Sequence, residues 1–210
     1  METSCLIVID VQNDFMPGGA LAVARGNEVV PLINRMGARF QHVILTQDWH
    51  PRGHASFASS HKGTKPFETM VLDYGNQVLW PDHCLQGTPG AALHPDLSIP
   101  QAELVIRKGY HRGVDSYSAF FEADRKTPTG LAGYLKERGL RKIYLCGLAT
   151  DFCVAWTALD ARAAGFEVVL IDDACRAIDR EGSLAKAMLD MNHAGVRQMR
   201  SIEFSFAGSK

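Results

Sequence analysis

The sequence predicts a doubly wound α/β domain: three layers, with a six-stranded, mainly parallel sheet carrying helices on both faces. Three observations lead there. Short strand-like runs alternate with helix-like stretches. The runs are apolar throughout, as strands covered on both faces are. The helix-like stretches stop at glycines.

The first strand is Cys5 to Asp10, a continuous apolar run ending in a carboxylate. The others are His42 to Gln47, Glu103 to Arg107, Lys142 to Cys146, Glu167 to Ile171 and a weaker one near Val196 to Met199. Helices are expected near Asn27 to Phe40, Thr129 to Arg138, Asp151 to Ala164 and Arg180 to Ala194, with Gly139, Gly165 and Gly195 closing the last three. Two stretches break this rhythm. Asp48 to Glu68 and Tyr74 to Pro100 are rich in Gly, Pro, His and Trp, and irregular segments of that length in a compact domain are usually functional.

The chain of 210 residues suffices for one domain spanning 1–210, with 201–210 a C-terminal tail that is frayed or docked. Its composition, 46% hydrophobic and 21% charged, is that of a soluble globular protein. A net charge of -1 without a basic stripe argues against nucleic acid as a partner. No apolar run approaches the roughly 20 residues of a membrane span, and Leu6 to Val11 is too short for a signal-peptide core. Five scattered cysteines, none in CxxC spacing, fit reduced thiols in the cytoplasm rather than a disulfide scaffold. Whether the chain forms a homo-oligomer is left open.

Ligands in open α/β sheets bind beyond the carboxyl ends of the strands. There the sequence delivers Asp10, Asp48-Trp49-His50, Lys108 and, after the fourth strand, Cys153. Thr150 or Asp151 suits a helix N-cap. Cys153 then falls in the first helical turn, where the helix dipole favours a thiolate and makes it a candidate nucleophile. Its bland reading is a small buried hydrophobe. Asp10 is the candidate proton acceptor and Lys108 the charge that stabilises the thiolate; ordinary strand-end residues are their alternatives. Asp48, His50, His54 and His83 form a plausible ligand set for one divalent first-row metal, with zinc, iron and manganese all suited; a polar loop cluster without an ion is the alternative. Phe15, Leu21, Trp80 and Tyr117 lie on irregular segments and could wall a pocket for a flat ring.

Six blocks in order then resemble a known family. They are Ile9 to Phe15, Asp48 to Pro51, Trp80 to Gly90, Lys108-Gly109, Asp115 to Phe120 and Gly147 to Val154. Together they resemble the nicotinamidase/pyrazinamidase group of the isochorismatase-like cysteine hydrolases, from Leu6 to about Met199. The resemblance implies that group's fold, an Asp10, Lys108 and Cys153 catalytic set, and a metal held by Asp48, His50, His54 and His83. The Asp48-x-His50-x-x-x-His54 spacing is shorter than in some members, and His61 is the alternative ligand. It also implies a cis peptide at Leu148-Ala149, an oxyanion hole from the Ala149 and Cys153 backbone N–H groups, and Phe152 in the ring pocket. The implied reaction is hydrolysis of nicotinamide to nicotinate and ammonia through a Cys153 thioester. Pyrazinamide is a second substrate, and no organic cofactor is needed. A sister amidohydrolase of carbamoyl or ureido compounds would keep the three catalytic residues without needing the histidine-rich loop.

Overall fold

The computed structural model describes residues 3–206, with side chains to residue 204; residues 207–210 of the expected tail lie outside the described residues. Six strands form one parallel sheet: β1 (Ser4–Ile9), β2 (His42–Asp48), β5 (Ala102–Lys108), β6 (Lys142–Leu148), β7 (Glu167–Arg176) and β8 (Arg197–Met199). Their order is β5-β2-β1-β6-β7-β8, and every adjacent pair is parallel. The core of the sheet is β1, whose residues are all buried because strands and helices cover it on every side.

Four helices connect the strands: α1 (Val29–Gly37), α2 (Leu131–Glu137), α3 (Ala155–Ala163) and α4 (Ser183–His193). From β1 the chain steps through α1 to β2, toward one edge; from β6 it steps through α3 and α4 toward the other. Right-handed crossovers running in opposite directions put α1 on one face and α3 and α4 on the other. The doubly wound expectation therefore holds, and the strand order reverses between β1 and β6.

Most differences from the sequence reading are at element ends. β7 runs to Arg176 rather than Ile171, and α1 is shorter than Asn27 to Phe40, with a 3-10 turn at Gly26–Glu28 before it. A hairpin of β3 (Thr69–Leu72) and β4 (Gly75–Val78) was not foreseen. It is a short antiparallel ribbon outside the main sheet, half-buried, without the long apolar run that betrays the parallel strands. β5 alternates in exposure because it is an edge strand. The tail docks as far as it is described. Ser201 donates from its backbone N and its Oγ to the Asp173 carboxylate at 2.7 Å each. Phe204 is buried against the rings of Phe40 and Tyr144. Among the described residues no helix is long and apolar enough to cross a membrane.

The expected side-chain N-cap ahead of α3 is absent. Thr150–Val154 forms a π-helical turn in which the Val154 N–H reaches the Ala149 carbonyl at 3.1 Å, and Ala149 occupies the cap position. Single π-turns recur at functional sites. The Asp151 carboxylate turns away from this helix, to the backbone N–H groups of Ile178 and Asp179.

Candidate active site

Four neighbouring strands deliver four functional groups to one rim. Lys108 closes β5, Asp48 closes β2, Asp10 follows β1 and Cys153 sits in the π-turn beyond β6. The rim lies at the strand-order reversal, where the loops diverge and leave a crevice. Close approach there is possible because position 147 lacks a side chain: a Cβ on Gly147 would lie 2.1 Å from the Ile9 carbonyl oxygen. The Leu148-Ala149 peptide is cis, as the resemblance implies.

Lys108 is fully buried and joins the group together. Its Nζ lies 2.8 Å from Asp10 Oδ2, donates to Asp48 Oδ1, and donates to the Ser116 carbonyl at 3.0 Å and to Cys153 Sγ at 3.3 Å. Burial works against the lysine charge, but the Asp10 and Asp48 carboxylates outweigh it and hold its pKa well above the ordinary value. Asp48 is held well below the carboxylate range: burial opposes this, and the Lys108 charge overcomes it. Asp10 goes the other way, because burial raises its pKa despite Lys108. Its Oδ1 accepts from Thr46 Oγ1 at 2.5 Å. Its Oδ2 faces Lys108 without an aligned donor and is free to take a proton.

Cys153 corrects one expectation. Its position at a helix start predicts a resting thiolate, yet its pKa is raised well above the usual thiol value. Burial dominates, Lys108 only partly offsets it, and the nearby Asp10 and Asp48 charges add to it. Burial thus opposes the thiolate that a helix start favours, and the Asp10 carboxylate beside it has its own pKa raised by burial.

The histidine cluster divides in two. Nδ1 of His50 donates to the Gly109 carbonyl and Nδ1 of His83 to the Pro81 carbonyl, each at 2.8 Å. A carbonyl only accepts, so both rings keep their Nε2 lone pairs free. These point at Asp48 Oδ2 from 3.7 and 3.8 Å, too long for hydrogen bonds. The spacing is close to the roughly 3.4 Å between tetrahedral ligands about 2.1 Å from one ion. Asp48, His50 and His83 therefore fit a divalent metal. His54 stands beside His50, ring centroids 4.3 Å apart, but outside this triple. Its Nε2 donates to the Val114 carbonyl at 3.0 Å and its Nδ1 accepts from Ser56 Oγ at 2.7 Å, so both nitrogens are engaged. His61, bonded to the Ala55 carbonyl, joins no such group among the described residues.

Beside the thiol and the histidines lies a narrow, largely apolar pocket. Phe15, Leu21, Trp80, Tyr117, Phe152 and Ala149 all line it, together with Asp48, His50, His83 and Cys153. Trp80 meets Phe152 edge-on at 4.9 Å between centroids, and Trp80 Nε1 donates to the Tyr117 hydroxyl at 3.0 Å. Sequence reasoning missed Asp115 and Ile178, which also line it, and Thr46, which orients Asp10. Asp115 lies within one of the quoted motif blocks. Thr46 and Ile178 carry no local signal, because their roles arise from contacts 36 residues away in one case and from a loop fold in the other.

Comparison with known proteins identifies the family. The family model described as Isochorismatase domain matches residues 4–203. A nicotinamidase of Acinetobacter baylyi is 59% identical over 196 residues, covering 93% of this chain and 92% of the relative. A solved Acinetobacter baumanii nicotinamidase and pyrazinamidase superposes with a TM-score of 0.96 at 57% identity, covering 97% and 99% of the two chains. A Pyrococcus horikoshii pyrazinamidase solved in complex with zinc gives a TM-score of 0.77 at 34% identity, covering 94% and 99%. The chain belongs to the isochorismatase family of hydrolases and has its fold.

Proposed function

We propose that this chain is a single catalytic domain that hydrolyses nicotinamide to nicotinate and ammonia, and that it accepts pyrazinamide as a second substrate. The observation that carries this reading is the Asp10–Lys108–Cys153 contact set opening onto an aromatic pocket that Asp48, His50 and His83 also line. A flat pyridine ring matches the walls formed by Phe15, Leu21, Trp80, Tyr117 and Phe152. The names of the relatives supply the substrate.

Asp48, His50 and His83 would hold one divalent ion, zinc, iron or manganese, with His54 as a further ligand. When bound, the ion supplies an electrophilic contact that fixes the ring nitrogen and so orients the amide. The protein's own groups do the rest. Asp10 takes the Cys153 proton, and Lys108, 3.3 Å from Sγ, stabilises the thiolate. Sγ attacks the carboxamide carbon. The oxyanion is received by the Ala149 and Cys153 N–H groups, each such donor worth about 3 kcal/mol in other enzymes. Protonated Asp10 returns its proton to the departing nitrogen, the C–N bond breaks and ammonia leaves a thioester on Cys153. Asp10 then takes a proton from water, whose oxygen attacks the thioester carbon to release nicotinate and restore the thiol. Five reduced, buried cysteines suit a cytoplasmic location.

The test is ammonia release from nicotinamide by the metal-loaded protein beside Cys153→Ala. Removing the nucleophile should cost about 10⁴-fold or more in kcat while leaving the fold intact. Activity near wild type in that variant refutes the thioester route. Absence of release in wild type with a reactive thiol points instead to carbamoyl or ureido substrates.

A further inference from the structure

Asp151 is two residues from the nucleophile, buried, and plays no part in the chemistry derived above. Its carboxylate faces a different element. Oδ1 accepts from the Ile178 N–H at 3.0 Å; Oδ2 accepts from the Asp179 N–H at 2.8 Å and from Ser183 Oγ at 2.5 Å. These donors belong to the segment from 178 to 183, between the end of β7 and the start of α4. Ile178 at its front lines the reaction cavity.

Within the segment, the Arg180 N–H donates to Ser183 Oγ at 3.0 Å and the Ser183 N–H to the Arg180 carbonyl at 2.9 Å. Asp179 and Glu181 take left-handed backbone angles, φ 50 and 52, which non-glycine residues adopt at a cost unless their surroundings impose it. Two contacts from outside the segment add to its own hydrogen bonds. Asp151 binds one side. On the other, the Arg180 guanidinium lies over the Phe67 ring at 4.2 Å, and Phe67 packs edge-on against Trp80 of the cavity wall. The segment is thus a strap between the nucleophile's own turn and the aromatic wall.

We propose that Asp151 is a positioning residue that sets ring selectivity by holding Ile178 against the cavity. The inference rests on the nicotinamide reading above. It assigns the acid beside Cys153 to the size of the ring site rather than to the thiol. Losing it lets the strap relax, so Ile178 withdraws, the ring is held less well and a larger ring is tolerated.

The experiment compares wild type, Asp151→Asn, Ile178→Ala and the double variant, metal-loaded. Steady-state kinetics use nicotinamide and ring-methylated nicotinamides, and amide hydrogen exchange is read at Ile178 and Asp179. In Asp151→Asn, protection of those two amides should fall at least about tenfold. KM for nicotinamide should rise about tenfold with kcat within about twofold, the pattern of lost ring binding. The preference for nicotinamide over its methylated forms should shrink. In the Ile178→Ala background the same change should add less than about twofold, because its effect passes through that side chain.

A fall in kcat with KM unchanged overturns the proposal and assigns Asp151 to the thiol. So does unchanged selectivity despite lost protection, or full additivity in the double variant. If Asp151→Asn fails to fold, Ser183→Ala removes one of the three bonds to Asp151, together with the acceptor of the Arg180 N–H, and should give the same pattern in smaller measure; wild-type kinetics and protection there overturn it. No ammonia from nicotinamide with wild type refutes the substrate reading and the ring selectivity with it, while the exchange data still decide whether Asp151 clamps the strap.

Discussion

Asp10 shows how one carboxylate is fitted to two proton transfers. Burial raises its pKa, Lys108 limits the rise, and Thr46 holds the charged form with one hydroxyl hydrogen bond. A base works only when unprotonated, so activity falls as pH drops through the raised value rather than near the ordinary carboxylate value. The acid limb of kcat/KM should therefore lie above pH 4 or so, the ordinary carboxylate region. Thr46→Val removes a donor that favours the charged form, which should move that limb to still higher pH. A profile superposable on wild type would remove Thr46 from the machinery. Asp10→Asn keeps the shape without the base and should lower kcat by about 10²-fold to 10⁴-fold, as a lost general base does. An active variant would place the proton transfer elsewhere.

At the scale of elements, the reactive groups meet because β1 and β6 pack closely at the point where the strand order turns. Gly147 makes this possible, at φ 115 and with its Cα against the Ile9 backbone. Gly147→Ala meets both a forbidden angle and a backbone clash, and it should cost at least about 2 kcal/mol of stability. Denaturant unfolding measures this, and a loss under about 0.5 kcal/mol, typical of neutral surface changes, would show that the strands can part freely. The long irregular segments are fastened by the first motif. Gln12 Nε2 donates to the Asp48 carbonyl at 2.8 Å, and Asp14 Oδ2 accepts from the Cys84 N–H at 2.7 Å. The Gln12 to Asp14 stretch thus ties the end of β2 and the loop carrying His83 and Cys84 to β1.

For the whole molecule, the ligand triple links β2 to the loop carrying His83, so binding an ion ties distant parts of the chain together. A ligand that binds only the folded state raises stability by mass action. Stripping metal with a chelator should lower the melting temperature, and restoring about one ion per chain should return it. His50→Ala or His83→Ala should abolish that response, because each removes one of the imidazoles that would hold the ion. Thermal melts beside metal analysis check this. A variant that keeps a full complement of ion would mean the ion is held by other residues.

Much of this molecule is legible in its sequence, because strand and helix periods, turn glycines and residue chemistry are local properties. The continuous apolar run before Asp10, the glycines closing the helices and the ordered motif blocks between Ile9 and Val154 each carry their meaning within a few residues. They suffice for the parallel sheet, the rim and the residues gathered on it. The hairpin at Thr69–Val78 escaped because a short half-buried ribbon has no strong period. What only tertiary structure decides is the state of those residues. Burial raises the Cys153 pKa against the pull of Lys108, His54 engages its two ring nitrogens with Ser56 and the Val114 carbonyl rather than facing Asp48, and Asp151 bonds a distant segment rather than its own helix. Ionisation and hydrogen-bond choice depend on desolvation and on partners far along the chain, and distances through space are set by the fold rather than by spacing along the sequence.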